Sequence, residues 1–191
     1  MREAGHPLAG RALRSEIAFG GGMIVAAGST FLAIGYRHGI TGAGLAVIML
    51  VIVRSDWRAH IIPNLANLAA AGLALVDALL SEQPQSAVID ALARGAGLFL
   101  LFLGFRSAFR FWRGREGLGL GDVKLAGVLG LWLDFPYIPV AIEMACLCAI
   151  VYVLARKIVS GRPIDSLARL PFGAFLAPAI WVTWLWQRIP S

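Results

Sequence analysis

The feature that most constrains this chain is a succession of apolar blocks, divided by short polar or basic turns. The blocks fall at about 17–35, 40–53, 63–80, 88–105, 122–133, 140–155 and 171–186. A water-soluble domain is nearer 45–50% apolar and about 25% charged. This chain of 191 residues is 59% hydrophobic and 15% charged, with mean hydropathy +0.76. In lipid a backbone must satisfy its own hydrogen bonds, and blocks of this length do so as helices. The expectation is an all-α, polytopic membrane helix bundle of about seven transmembrane helices. Residues 1–16 read as a cytoplasmic N-terminal tail and 17–187 as one transmembrane domain. No cleavable signal peptide is evident, and there is no fixed-period repeat or low-complexity linker.

The charges orient the bundle. The net charge is +6. With the N-terminus cytoplasmic, 14 of the 17 Lys and Arg fall on the cytoplasmic side, the heaviest group being Arg106, Arg110, Arg113 and Arg115. Only Arg37 and Arg188 fall outside, and Arg94 lies within a block. Cytoplasmic loops carry such an excess, so the N-terminus is expected inside and the C-terminus outside. The basic surplus fits anionic headgroups of the lipid bilayer. No basic stripe is interleaved with aromatics, so nucleic acid is not an expected partner.

Two aspartates then stand out. Asp122 sits in Gly119-Leu120-Gly121-Asp122-Val123-Lys124, at the mouth of an apolar block. Asp56 sits in Asp56-Trp57-Arg58-Ala59-His60-Ile61-Ile62-Pro63-Asn64. A carboxylate at a bilayer boundary is costly and points to function. Asp56 follows the second block and Asp122 precedes the fifth, so the topology puts both at the cytoplasmic boundary. Two carboxylates held close share one proton, because both cannot ionise cheaply. Such a pair can activate water with one member and polarise a peptide carbonyl with the other. It needs no metal, cofactor or covalent nucleophile. The same residues also suit a small ion- or proton-coupled membrane transporter, or a Mg²⁺ site. A third possibility is a protease cutting within the membrane span, for which Arg54 and Arg58 hold Asp56 too near water.

Asp56 with Pro63-Asn64, followed by Gly-x-Gly-Asp-x-Lys at 119–124, resembles the type IV prepilin peptidases. These are membrane aspartic proteases of the Gly-x-Gly-Asp class. The run from Leu170 to Leu176 is similar to their Pro-Phe-Gly motif, with Ala174 where a proline is usual. The resemblance covers about residues 40–180 and implies a multi-pass protein of the bacterial cytoplasmic (inner) membrane. It implies Asp56 and Asp122 as the catalytic pair, with Gly119 and Gly121 shaping the active-site loop. Lys124 is implied to tune Asp122 or contact substrate, and Pro63 and Asn64 to set the start of the third helix. Pro171 and Gly173 are implied to pack beside the site. The implied partners are prepilins or pseudopilins, cleaved behind a short basic leader. Larger members carry a zinc domain with two Cys-x-x-Cys pairs and also N-methylate. This chain has only Cys146 and Cys148, and resembles the small single-domain subtype of tight-adherence (Flp) pilus systems.

The remaining polar residues carry local expectations. Asp90 and Arg94, four apart on one helix, are expected to pair. Asp77 and Glu143 fall in the outer halves of their blocks, away from the proposed site. Cys146 and Cys148 are expected as small packing residues. His60 is expected at headgroup level, and Trp181, Trp184 and Trp186 at a membrane interface.

Overall fold

A computed structural model describes residues 7–34, 36–114, 117–160 and 170–189. Arg2, Arg115, Arg162 and Arg169, which entered the charge count, lie outside the described residues. The described residues form seven α-helices: α1 Pro7–Ile34, α2 Tyr36–Ala59, α3 Asn64–Leu79, α4 Pro84–Arg113, α5 Leu120–Trp132, α6 Tyr137–Ser160 and α7 Gly173–Arg188. The fold is all-α, as the apolar blocks require, and fits a membrane helix bundle. Three helical stretches, His38–Ala59, Pro84–Arg113 and Tyr137–Val159, are long and apolar enough to cross a membrane. At 16, 13 and 16 residues, α3, α5 and α7 are shorter than the ~20 residues of a full span.

Several boundaries differ from the sequence expectation: α2 starts at Tyr36, through the turn expected before residue 40, and runs to Ala59, and α6 covers Tyr137–Ser160 rather than 140–155. Helix α1 starts at Pro7, so the segment 7–16 continues the first apolar block as helix. Helix α4 runs to Arg113, where a loop was expected from residue 106. No Gly or Pro interrupts 106–113. The helix stops only at Gly114, whose left-handed φ of 65° and N–H bond to Arg110 O close it.

The short helices form the interior. Every residue of α5 from Leu125 to Gly130 is buried. It packs against α3, α4 and α7, while α2 packs against α1, α3 and α7, and α6 leans on α7. Glycines allow the closest approach. A Cβ on Gly130 would sit 2.6 Å from Arg94 O and 2.9 Å from Gly95 Cα, so α4 and α5 touch backbone to backbone. The glycines of α1 do not serve this purpose: Gly20, Gly21, Gly22 and Gly28 face open space.

Burial corrects several further expectations. Trp184 is a fully buried core residue, with its ring edge-on to Trp132 at 5.5 Å; Trp186 alone of the three C-terminal tryptophans is exposed. Trp181 donates its indole N–H to Thr30 Oγ1 at 3.0 Å. Cys146 and Cys148 are exposed free thiols on α6, not packed in the core. Arg94 pairs not with Asp90 but with Asp134, at 3.1 Å, because α5 ends where its guanidinium reaches.

Candidate active site

The site is built where α2 ends, α3 and α5 begin, and α7 begins. Helix α2 carries Asp56 into the bundle end and then stops within one turn. His60 takes a left-handed φ of 53°, and its N–H bonds Asp56 O at 2.9 Å. That conformation costs a non-glycine residue about 1–2 kcal/mol, and here it turns the chain sharply back toward Pro63. Ser55 Oγ donates to Ile61 O at 2.7 Å and holds the turn against α2. Pro63 then caps α3 in extended conformation, with Asn64 as its first residue.

Asp56 is only 5% exposed. A buried carboxylate needs partners, and α7 supplies one: Ala174 N–H donates to Asp56 Oδ2 at 2.8 Å. This amide belongs to the first turn of α7, whose positive dipole end favours a negative charge at that place. Gly173 makes the approach possible, since a Cβ there would sit 3.1 Å from Asp56 Oδ2. Its own amide acts on the carboxylates of both Asp56 and Asp122.

Asp122 sits in the first turn of α5. Its side chain folds back over Gly119, where a Cβ would lie 3.0 Å from Asp122 Oδ2. Its Oδ1 is buried and has no hydrogen-bond partner. The Asp56 charge acts on Asp122, so the two carboxylates face one local environment. Ile62 wedges beneath them. Its Cβ would lie 3.0 Å from a Cβ on Gly121, and its Cδ1 2.5 Å from one on Gly173. Glycine at both positions is what lets one isoleucine pack against the Asp122 turn and the α7 turn together.

The expected site residues therefore converge, with two reassignments. Lys124 bonds Asn64 Oδ1 through Nζ at 2.7 Å, so it ties α5 to α3. Asn64 thus has a cross-helix bond as well as its place at the start of α3. The sequence reading missed Ile62 and the Ala174 amide. The sequence offers two equivalent isoleucines before Pro63-Asn64, and only the fold distinguishes buried Ile62 from exposed Ile61. A backbone amide leaves no signal, because any residue but proline supplies it. Ala174, standing where proline is usual in the resembled motif, keeps that donor. Next to the site, Trp57, Tyr152 and Phe175 form a cluster of rings 5.2–6.0 Å apart. Among the described residues no group of three or more His, Cys, Asp or Glu converges as a metal site would.

Comparison with known proteins bears on this geometry. A family model described as the type IV leader peptidase family matches residues 43–154. The chain is 28% identical over 170 residues to a prepilin leader peptidase/N-methyltransferase of Dichelobacter nodosus, covering 86% of this chain and 56% of that protein. It is 30% identical over 135 residues to the protein of that name from Pectobacterium carotovorum subsp. carotovorum, covering 70% and 46%. A third, from Aeromonas salmonicida, is 35% identical over 104 residues, covering 52% and 32%. The chain thus spans from about a third to just over half the length of these curated relatives. No solved structure matches it. The transporter alternative gains no support from these relatives.

Proposed function

The chain belongs to the type IV leader peptidase family, and from that premise we propose that it is an aspartic endopeptidase of the bacterial cytoplasmic membrane. Its substrates are Flp-type prepilins or pseudopilins, cut behind their short basic leader. The observation that carries this reading is the Ala174 amide on Asp56, with Asp122 facing the same end of the bundle.

The chemistry divides the two carboxylates by environment. Asp56 accepts an N–H at a helix N-terminus, which favours its ionised form as the base. Asp122 has one oxygen without a partner and is assigned the shared proton. Asp56 takes a proton from water while the water oxygen bonds the scissile carbonyl carbon. Asp122 donates its proton to the carbonyl oxygen, giving a neutral gem-diol. On collapse Asp56 passes its proton to the departing nitrogen, the C–N bond breaks, and a diol hydroxyl returns a proton to Asp122. The products are a carboxylic acid and an amine, and the dyad is restored.

Location supports the substrate. A prepilin places an apolar helix in the bilayer and its leader in the cytoplasm, so the bond between them lies at the boundary. Asp56 and Asp122 belong there under the charge orientation. The N-methyl transfer in the relatives' name is not carried to this chain.

Co-expression with a small Flp-type prepilin tests the proposal. Wild type is expected to shorten the prepilin on a gel, and Asp56→Asn and Asp122→Asn to leave it full length though both insert in the membrane. An unprocessed prepilin with well-inserted wild type, across several candidate pilins, would overturn it.

A further inference from the structure

Helices α3 and α5 both start at the candidate active site and run the same way. At their far ends, with the start of α4 and the end of α7, they surround a cavity of about 370 Å³. That is within the size range of small-ligand sites, about 300–1,000 Å³. Under the charge orientation it opens on the outer side of the membrane.

The cavity wall holds two arginines in fixed positions. Arg188 Nη2 pairs with Asp77 Oδ2 at 2.8 Å. Asp77 is itself buried and held by His38 Nδ1 at 2.7 Å and the Thr41 hydroxyl at 2.5 Å. Arg94 pairs with Asp134 at 3.1 Å and donates through Nε to Gly130 O at 3.3 Å. Gln187 Oε1 accepts the Asp134 amide at 2.9 Å. None of these groups was expected to act together, and the dyad chemistry uses none of them.

Two groups are left over. Arg188 Nε is buried and has no hydrogen-bond partner. Asp90 is exposed at the cavity and takes part in no ion pair among the described residues. Leu79, Leu80, Ile89 and Phe135, neighbours in sequence of the lining residues, are large exposed hydrophobics, while Glu82 and Gln85 keep the turn before α4 polar. A polar cavity flanked on part of its rim by apolar side chains suits an amphiphile, with its headgroup in the cavity and its chains on the apolar part.

The charges select the headgroup. Three aspartates and two arginines line the cavity, so it has no positive surplus for a purely anionic ligand. Guanidinium groups favour phosphate oxygens, and a primary ammonium can donate up to three hydrogen bonds to carboxylates. A choline group can donate none. We propose that this cavity binds the phosphoethanolamine headgroup of a phospholipid. Its phosphate sits toward Arg94 and Arg188, and its ammonium at Asp90. The proposal rests on the bilayer orientation of the fold and is independent of the peptidase reading.

The test is native mass spectrometry of the purified, delipidated protein. It is offered an equal mixture of phosphatidylethanolamine, phosphatidylglycerol and phosphatidylcholine with matched chains. Wild type is expected to retain phosphatidylethanolamine at least tenfold over the other two. Asp90→Asn, an exposed change that leaves both arginine pairs in place, is expected to bring it down to the phosphatidylcholine level. Arg188→Gln is expected to reduce all three. Equal retention of the three lipids by wild type, or an ethanolamine preference unchanged in Asp90→Asn, would overturn the proposal. So would displacement of the lipid by equimolar glycerophosphoethanolamine or inorganic phosphate, which would make a free phosphate compound the ligand. Prepilin cleavage is measured on the same preparation, so an inactive but lipid-selective protein would count against the peptidase reading alone.

Discussion

Gly173→Ala isolates the contact on which the catalytic account depends. The added Cβ would meet Ile62 Cδ1 at 2.5 Å and Asp56 Oδ2 at 3.1 Å. The first contact is with the end of a flexible side chain, which can rotate away. The second is with a buried carboxylate held at 2.8 Å by the Ala174 amide. Pushing Asp56 off that amide forfeits a hydrogen bond to a charged group, worth about 1.5–3 kcal/mol. At ~1.36 kcal/mol per tenfold in rate, cleavage should fall about 10- to 150-fold. Overpacking Ile62 should cost about 1–3 kcal/mol of stability. Adding Ile62→Val removes Cδ1, so the double variant should regain stability without regaining the lost rate. Initial cleavage rates on reconstituted protein, with thermal unfolding in detergent, separate the two effects. A Gly173→Ala protein that cleaves at the wild-type rate would refute the α7 amide as a support of Asp56. So would a double variant restored to full rate, since Ile62 would then carry the whole effect.

Three other changes test neighbouring parts of the structure. Gly119→Ala sets a Cβ 3.0 Å from Asp122 Oδ2 and should force that side chain off its rotamer at about 0.5–1.5 kcal/mol. Cleavage should drop several-fold with little change in melting, and unaltered kinetics would contradict the described Asp122 pose. Lys124→Met and Asn64→Ala each remove one end of the 2.7 Å bond between α5 and α3. Each should cost about 0.5–1.5 kcal/mol, and the double variant no more than the larger single loss; fully additive unfolding energies would show that the two do not act together. Gly130→Ala drives a Cβ into the α4 backbone at Arg94 O, 2.6 Å away, and should lower stability by about 1–3 kcal/mol or more. A melting curve unchanged by Gly130→Ala would mean that α4 and α5 pack less closely than described.

Much of this arrangement was legible in the chain, because lipid-scale apolar blocks leave helices as the only outcome and charge asymmetry orients them. Asp56 and Asp122 were brought to one end of the bundle by counting arginines and lysines, and the helices place them there. Pro63-Asn64 was read as the start of the third helix, and α3 begins at Asn64. Legibility failed where a contact depends on which helices become neighbours. Arg94 chose Asp134 over its i−4 neighbour Asp90 because α5 ends beside it, and sequence spacing along one helix does not encode that. Trp184 read as an interfacial residue from its place near a helix end. It is core because Trp132 and Gly42 meet it from other helices. Asp77 was set aside as distant from the dyad, and its links to His38, Thr41 and Arg188 join positions far apart in the chain. Arg106 to Arg113 read as loop because their charge suggested water, yet a solvated helix serves equally well.

The central claim is that Asp56 and Asp122 work as one unit. The most direct measurement is the initial rate of prepilin cleavage by reconstituted wild type, Asp56→Asn, Asp122→Asn and the double variant. Groups acting as a unit are strongly non-additive, so either single change should cost as much as both together. All three variants are expected at the same background rate. A single variant that keeps substantial activity, with a further drop in the double, would contradict the shared-proton mechanism and make one aspartate an accessory to the other.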